Sequence, residues 1–325
     1  MKTELLRVLR ETDDYVSGQE LCDRLGVSRT AIWKRIKKLQ EEGYVIEAVQ
    51  NRGYHLIELP DLMKTDEVRS WLSSKWLGKE LYYQETVDST NTWAKKLAEE
   101  GAPNGTVVLA DEQTAGKGRR GRTWKNPKGA NIAATFLLRP KFMPEAAPML
   151  TLVMGLSVAQ VCREMELDAW IKWPNDVVVS GKKICGILTE MSAQVDYVNY
   201  VVIGTGINVN LSVLPPELKE IATSFYLEKR EVFPRAQIIA RVIEVFEENY
   251  EIYTKTNDLS QLADTYNQML INHGRQVKVL DPSGEFTGVS GGIDPSGRLS
   301  VKKEDGTVVK VMAGEVSVRG LYGYV

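Results

Sequence analysis

The sequence predicts a multidomain α+β protein with a helical N-terminal unit, a central mixed sheet and a small all-β C-terminal unit. Three observations predict it. The first 60 or so residues carry three helix signals followed by a hairpin signal. The middle of the chain alternates strand-like and helix-like runs, several joined by links as short as Ser180-Gly181-Lys182. Short links imply antiparallel neighbours, so this sheet is expected to be mixed, with its helices on one side. The last 55 or so residues hold only short strand-like runs divided by turn residues. Boundaries follow at 1–62, 63–270 and 271–325.

Composition narrows the function classes. The chain has 325 residues and a formal net charge of -2, so any nucleic-acid contact must come from a local patch. No apolar run reaches the ~18 residues of a membrane span, and the N-terminus MKTELLRVLRETDD lacks the apolar core of a signal peptide. A cytoplasmic protein without membrane contact is expected. The 3 cysteines stand apart in apolar surroundings, and the 2 histidines, His55 and His273, are far apart in sequence. A disulfide set, a His-rich metal site and a Ser-His-Asp triad are therefore disfavoured.

The N-terminal unit begins with a helix over residues 2–11. A second follows Ser17-Gly18, Gly26 permits the turn, and Ser28 caps a third. That third helix repeats Ile32, Ile36 and Leu39 on one stripe. Runs 44–49 and 54–59, joined by Gln50-Asn51-Arg52-Gly53, form a hairpin. Helix-turn-helix plus hairpin is the winged-helix pattern. It nominates Ser28, Arg29, Thr30, Trp33, Lys34 and Lys37, with Arg52 on the wing tip, as the DNA-facing set. A protein-interaction module with a solvated basic face is the alternative.

The middle segment reads as helix 66–76, strand 81–85, helix 90–100, strand 106–110, a glycine-rich loop and strand 131–138. A helix at 145–166, strands at 169–173, 177–179, 184–192 and 197–209, and helices at 215–222 and 234–255 follow. The last segment holds strands 276–280, 286–293, 298–303, 307–312 and 315–318, linked by two Asp-Pro-Ser-Gly turns and Asp305-Gly306. Five short strands suggest a small barrel.

Chemistry concentrates in the middle segment. Gly116-Lys117-Gly118-Arg119-Arg120-Gly121-Arg122 combines glycines, which let backbone N–H groups turn toward a ligand, with four cationic side chains that suit an anion. Alone, this run equally suits a solvated loop or an RNA-binding patch. Ser89-Thr90-Asn91 opens a helix and can hold a polar ligand. Gln113 stands at a strand end with a donor and an acceptor. Lys172-Trp173-Pro174-Asn175-Asp176 forms a polar knot suited to phosphate and magnesium. Lys183 enters an otherwise apolar strand, costly unless it meets an anion. Gly204-Thr205-Gly206-Ile207-Asn208 ends another strand and permits close approach.

This array of STN, QTAGxGRxxR, KWPND, KxxGIL and GxGINxN resembles the biotin protein ligases, and the winged helix resembles their bifunctional repressor branch. The likeness spans essentially the whole chain. One departure is Lys117, where the family usually has arginine. The resemblance implies a class II synthetase-like catalytic fold and an SH3-like C-terminal barrel. It implies synthesis of biotinyl-5′-AMP from biotin and ATP with Mg2+, and transfer of biotin to a lysine of carboxyl carrier domains, as in acetyl-CoA and pyruvate carboxylases. It implies a homodimer when the adenylate is bound, acting on operator DNA as a biotin-responsive repressor. Biotin would meet Ser89, Thr90, Asn91, Gln113, Gly116, Lys117, Gly118, Arg119, Lys183, Gly186, Gly204 and Gly206. ATP would meet Arg119, Arg120, Arg122, Trp124, Asn131, Lys172, Asn175 and Asn208. Lys183, Arg119 and Asp176 would be catalytic, and Asp176 and Asn208 would hold the metal. A ligand-sensing repressor without ligase activity and a lipoate-type acyl-adenylate ligase are the alternatives.

Overall fold

The structure, a computed structural model, describes the chain apart from residues 282–283, 314–316 and 321–323. It divides into two compact units, Met1–Ser73 with Pro234–Ala240, and Ser74–Phe233 with Arg241–Val325.

In the first unit α1 spans Lys2–Arg10, α2 Gly18–Leu25 and α3 Arg29–Glu41. Ser17 and Ser28 cap α2 and α3 by accepting from Glu20 N and Ala31 N, and Gly26 ends α2 in the left-handed region. Ile32, Ile36 and Leu39 face a core shared with Leu5, Leu6, Leu9 and Leu21. Strands β1 (Val45–Val49) and β2 (Gly53–Glu58) pair antiparallel, as the hairpin signal requires. Gly53 is obligatory, because a Cβ there would meet Val16 O at 2.0 Å.

Helix α4 (Thr65–Trp71) is shorter than the expected 66–76. Its Glu67 is buried, pairs with Arg10 and accepts from the Tyr44 hydroxyl, while Trp71 stacks on the Arg10 guanidinium at 4.0 Å. Burial, reinforced by the Glu67 charge, pushes the Tyr44 phenol well above its ordinary pKa. Asp61 takes the backbone N–H and Nε of the buried Arg235 at 3.0 and 2.7 Å.

The second unit is built on a seven-stranded sheet. Its strands are β3 (Leu81–Val87), β4 (Thr106–Gln113), β5 (Asn131–Leu138), β6 (Ala169–Lys172), β7 (Asp176–Val179), β8 (Lys182–Ala193) and β9 (Val198–Asn208). Their order is β3-β4-β5-β9-β8-β7-β6. Only β3–β4 is parallel, so the sheet is mixed as expected. The helices, however, lie on both faces. Helix α5 (Thr90–Glu99) packs Ala94 and Ala98 on Val108, Leu137 and Val202. Helix α6 (Leu150–Glu164) sits on the opposite face, where Gly155 approaches Ile187 and Ile171. β5 is buried at every position, so a single helical layer could not cover this sheet. Residues Pro144–Glu164 are long and apolar enough by length and composition to span a membrane, but here they are mostly buried in the protein.

Residues 215–222 contain only a 3-10 turn, Pro216–Leu218. Helix α7 (Phe225–Lys229) follows, then α8 (Arg235–Tyr253) and α9 (Ala263–Gln268); α7 and α9 carried no sequence signal. The last strands, β10 (Gln276–Leu280), β11 (Phe286–Ile293), β12 (Leu299–Lys302), β13 (Val308–Val311) and β14 (Ser317–Gly320), form a five-stranded antiparallel sheet in the order β13-β12-β11-β10-β14. Pairing between β13 and β14, which would close a barrel, is absent among the described residues. Part of the first Asp-Pro-Ser-Gly turn and residues 315–316 of the last expected strand lie outside the described residues.

Breaking the Arg10–Glu67 pair leaves a buried guanidinium uncompensated. Glu67→Ala is expected to destabilise the N-terminal unit by about 3 kcal/mol, measured by urea unfolding.

Candidate active site

The sheet contains a trough. Asp176, Gly186, Gly206, Ala133 and Ala110 form one row across β7, β8, β9, β5 and β4. Beyond Asp176 no side chain in that row exceeds a methyl group, which lets the Trp124 ring pack on Gly206 and the Lys183 side chain on Gly186. The narrow cleft above is lined by Ser89, Thr90, Asn91, Gln113, Lys117, Gly118, Arg119, Trp124, Asn175, Lys183, Gly186, Gly204 and Gly206, among others. All expected biotin residues except Gly116 line it.

One end is polar. Gln113 Oε1 accepts from Thr90 N at 2.8 Å and from the Thr90 hydroxyl at 3.0 Å. That network assigns the amide oxygen inward and leaves the Gln113 NH2 as a donor. Thr135 Oγ1 lies 2.7 Å from Asn91 Oδ1, and Asn91 Nδ2 donates to Leu188 O and Glu190 Oε2 at 3.2 and 2.8 Å. Asn91 is thus a stitch between helix and sheet as well as a lining residue. Burial works to raise the Glu190 pKa, but hydrogen bonds from Lys95 and Asn91 outweigh it and hold the carboxylate below its ordinary value.

The other end is charged. Arg119 Nη1 donates to Asn175 Oδ1 at 2.7 Å, and Asn175 Nδ2 donates to Asp176 Oδ1 at 3.2 Å. Lys183 Nζ lies 2.6 Å from the same Asp176 oxygen. Burial lowers the Arg119 pKa, and Arg120 and Arg122 add to that shift while Asp176 opposes it. The Trp124 ring floors the space between these groups. A Cβ on Gly206 would meet it at 2.4 Å, and Lys183 Nζ sits 5.5 Å from its ring. Trp124 Nε1 is buried without a hydrogen-bond partner, the state of a donor awaiting a ligand.

The glycine-rich segment is a folded ribbon. Gly118 N donates to Arg122 O at 2.7 Å and Trp124 N to Gly116 O at 2.9 Å. Gly116 therefore serves the ribbon, since a Cβ there would meet Trp124 O at 2.5 Å. Arg120 sits at φ 57 and lines a neighbouring, more open cleft of about 1030 Å³ that shares Arg119, Asn175, Ile187 and Leu188.

Other expected residues lie apart from the first cleft. Arg122, Asn131, Lys172, Asp176 and Asn208 do not line it, and Asp176 reaches it only through its contacts with Lys183 and Asn175. Asn131 and Asn208 pair across β5 and β9, and Asn208 Nδ2 donates to Thr223 O at 3.0 Å. Asp176 and Asn208 stand on strands separated by β8 and two residues out of row, so they do not form a joint metal cage. Among the described residues no cluster of three His, Cys, Asp or Glu exists. In the first unit Thr30, Trp33, Lys34 and Lys37 are exposed on α3, with Trp33 at 53%. Ser28 is occupied as a cap, Arg29 holds Gln19 at 3.0 Å, and Arg52 pairs with Asp14 at 3.0 Å over the Tyr15 ring.

Residues that sequence reasoning missed include Ile187, Leu188 and Thr205 in the lining, whose apolar or commonplace types carry no signal. Tyr324 was missed too; its hydroxyl donates to Asp176 Oδ2 at 2.5 Å.

Three family models match the chain: an HTH domain over residues 2–55, the biotin/lipoate A/B protein ligase family over 83–208, and the biotin protein ligase C terminal domain over 273–319. Fold and site thus define a ligase of the biotin/lipoate type that carries an N-terminal helix-turn-helix. The chain is 36% identical over 322 residues, 98% of both chains, to the bifunctional ligase/repressor BirA of Bacillus subtilis. It is 35% identical over 236 residues to a biotin–[acetyl-CoA-carboxylase] ligase of Mycobacterium tuberculosis, covering 70% of this chain and 85% of that one. The biotin protein ligase of Aquifex aeolicus, solved in complex with biotin and ATP, aligns over 74% of this chain and 99% of its own at 31% identity, with a TM-score of 0.66. The chain belongs to the biotin protein ligases, in the bifunctional ligase/repressor branch.

Gly204 tests the trough. An added Cβ would lie 2.2 Å from Asn91 Oδ1, which cannot move without breaking its bonds to Thr135, Leu188 and Glu190. Gly204→Ala is expected to weaken biotin binding at least ~10-fold in titration calorimetry.

Proposed function

We propose that this protein is an ATP-dependent biotin protein ligase that also represses transcription in response to biotin. The observation that carries the reading is the meeting of Lys183, Arg119, Asn175 and Trp124 at one end of a side-chain-free trough whose other end is the Thr90–Gln113 pair. The biotin carboxylate oxygen attacks the α-phosphorus of ATP, and pyrophosphate leaves. An acceptor lysine amine, as its neutral base, then attacks the mixed anhydride carbon, and AMP leaves. Both first-step reactants are anions, so their approach requires compensating positive charge and fixed alignment.

In this reading Gln113 and Thr90 hold the ureido end of biotin, while Lys183 and Arg119 meet its carboxylate. Lys183 is held near its station by Asp176 and exchanges that partner for developing negative charge. Lys172, Arg120 and Arg122 screen phosphates, and Trp124 and Asn131 serve the adenine side. Mg2+ supplies charge neutralisation and orientation of the phosphates when bound. A hydrated Mg2+ needs few protein carboxylates, and Asp176 alone fits that demand, with Asn208 offering a carbonyl oxygen further along. The acceptors are carboxyl carrier domains of carboxylases, as the name of the mycobacterial relative suggests for that protein. The protein acts in the cytoplasm.

Residues 1–62 serve as the operator-binding unit, with Thr30, Trp33, Lys34 and Lys37 entering the major groove. Arg29 and Arg52 exchange Gln19 and Asp14 for DNA phosphates. Adenylate-bound protein forms a homodimer that presents two such units to a palindromic site. By linkage, adenylate that favours the dimer raises operator affinity.

Lys183→Ala is expected to slow pyrophosphate release at least ~100-fold, the scale of one lost transition-state donor; a near-normal rate removes Lys183 from the reaction. Biotin plus ATP is expected to tighten operator binding at least ~10-fold in an anisotropy titration at fixed salt, and Lys34→Ala to weaken it. Affinity indifferent to the ligands removes the repressor linkage and leaves the ligase.

A further inference from the structure

The charged end of the cleft receives one side chain from well outside the ligase-type match. Tyr324 follows the last residue, 319, matched by the C-terminal family model. Its hydroxyl donates to Asp176 Oδ2 at 2.5 Å, and the half-buried phenol ring lies under the Lys172 ammonium, 3.6 Å from Nζ to its centroid. Lys172 is only 5% exposed. The neighbouring Val325 is seated too: a Cβ on Gly181 in the β7–β8 turn would stand 3.3 Å from Val325 Cγ2. Asp176 is thereby held from two sides. Lys183 and Asn175 take Oδ1, and Tyr324 takes Oδ2.

We propose that Tyr324 is a positioning residue for the nucleotide end of the site. Its hydroxyl fixes the Asp176 carboxylate and its ring fixes the Lys172 ammonium, so that both face the triphosphate in one arrangement. The hydrogen bond is charge-assisted and the ring contact is a cation–π pair; each limits the rotamers of a group that would otherwise have several. The chemistry recognised is a metal-bound triphosphate, since an ammonium and a carboxylate are ordered together. This proposal rests on the reading above that Lys172 and Asp176 serve ATP.

The test is steady-state pyrophosphate release by full-length protein, with ATP and biotin varied separately. Tyr324→Phe keeps the ring and removes the hydroxyl; it is expected to lower kcat/KM for ATP about 10-fold while KM for biotin stays within about twofold. Tyr324→Ala, which also loses the ring contact, is expected to lower it further. A merely structural role would move both substrates and the melting temperature together. If both variants leave kcat/KM for ATP within about twofold, or raise it, Tyr324 does not position these groups and the proposal falls. Asp176→Asn is measured alongside. A loss there with no loss in the Tyr324 variants sinks only the tyrosine, whereas wild-type ATP kinetics in Asp176→Asn sink the underlying nucleotide reading.

Discussion

The site depends on one ion pair. Lys183 and Asp176 lie 2.6 Å apart at the mouth of a trough where Arg119 and Lys117 also gather. Among the described residues Asp176 is the single acid in direct contact with the Lys183 ammonium, and it also takes Asn175 Nδ2 and the Tyr324 hydroxyl. The carboxylate holds the Lys183 ammonium at the start of β8. A second acid, Glu190, stands at the polar end, where Asn91 and Lys95 hold it. Since the Lys183–Asp176 pair is only partly exposed, solvent screens it less than a surface pair.

Geometry supplies the rest of the selectivity. Glycines at 186, 204 and 206 matter for what they lack. Gly204 admits the Asn91 amide, and Gly206 admits the Trp124 ring. The ribbon 116–124 is shaped by the same rule, with Gly116 against Trp124 O. The ribbon and the start of α5 both line the cleft, and their backbone donors Gly118 N, Trp124 N and Thr90 N are fixed by bonds within the protein. A preorganised cradle of this kind lowers the cost of ordering a flexible acyl chain on binding.

Much of this was legible in the sequence because special residues carry special duties. Ser17, Ser28 and Gly26 announced two helices and a turn, and the stripe Ile32, Ile36, Leu39 announced a buried face. Lys183 stood out because a lysine in an apolar strand is costly unless it meets an anion, and KWPND joined it through the family resemblance. What escaped had physical reasons. The helices on both faces follow from total burial of β5, which an apolar run alone does not distinguish from one-sided packing. The short helices α7 and α9 draw their stability from tertiary contact, including the Ser224 cap and the Asn267 bonds to Ile293. Tyr324 had no motif, and only long-range packing brings it to Asp176.

The N-terminal unit also borrows from distant sequence. Arg235 opens α8, yet its guanidinium and backbone N–H are both taken by Asp61, 174 positions earlier. Arg235 is 2% exposed, so the Asp61 carboxylate meets a guanidinium that is out of reach of water. One residue before Pro234, Phe233 is bound at both backbone atoms by Asn210, at 3.0 and 2.9 Å, and Asn210 follows closely on the trough strand β9. The first compact unit runs past residue 62, through α4 to Ser73, and takes in Pro234–Ala240. The N-terminal unit is for that reason completed by residues 234–240, a segment far along the chain from its helices.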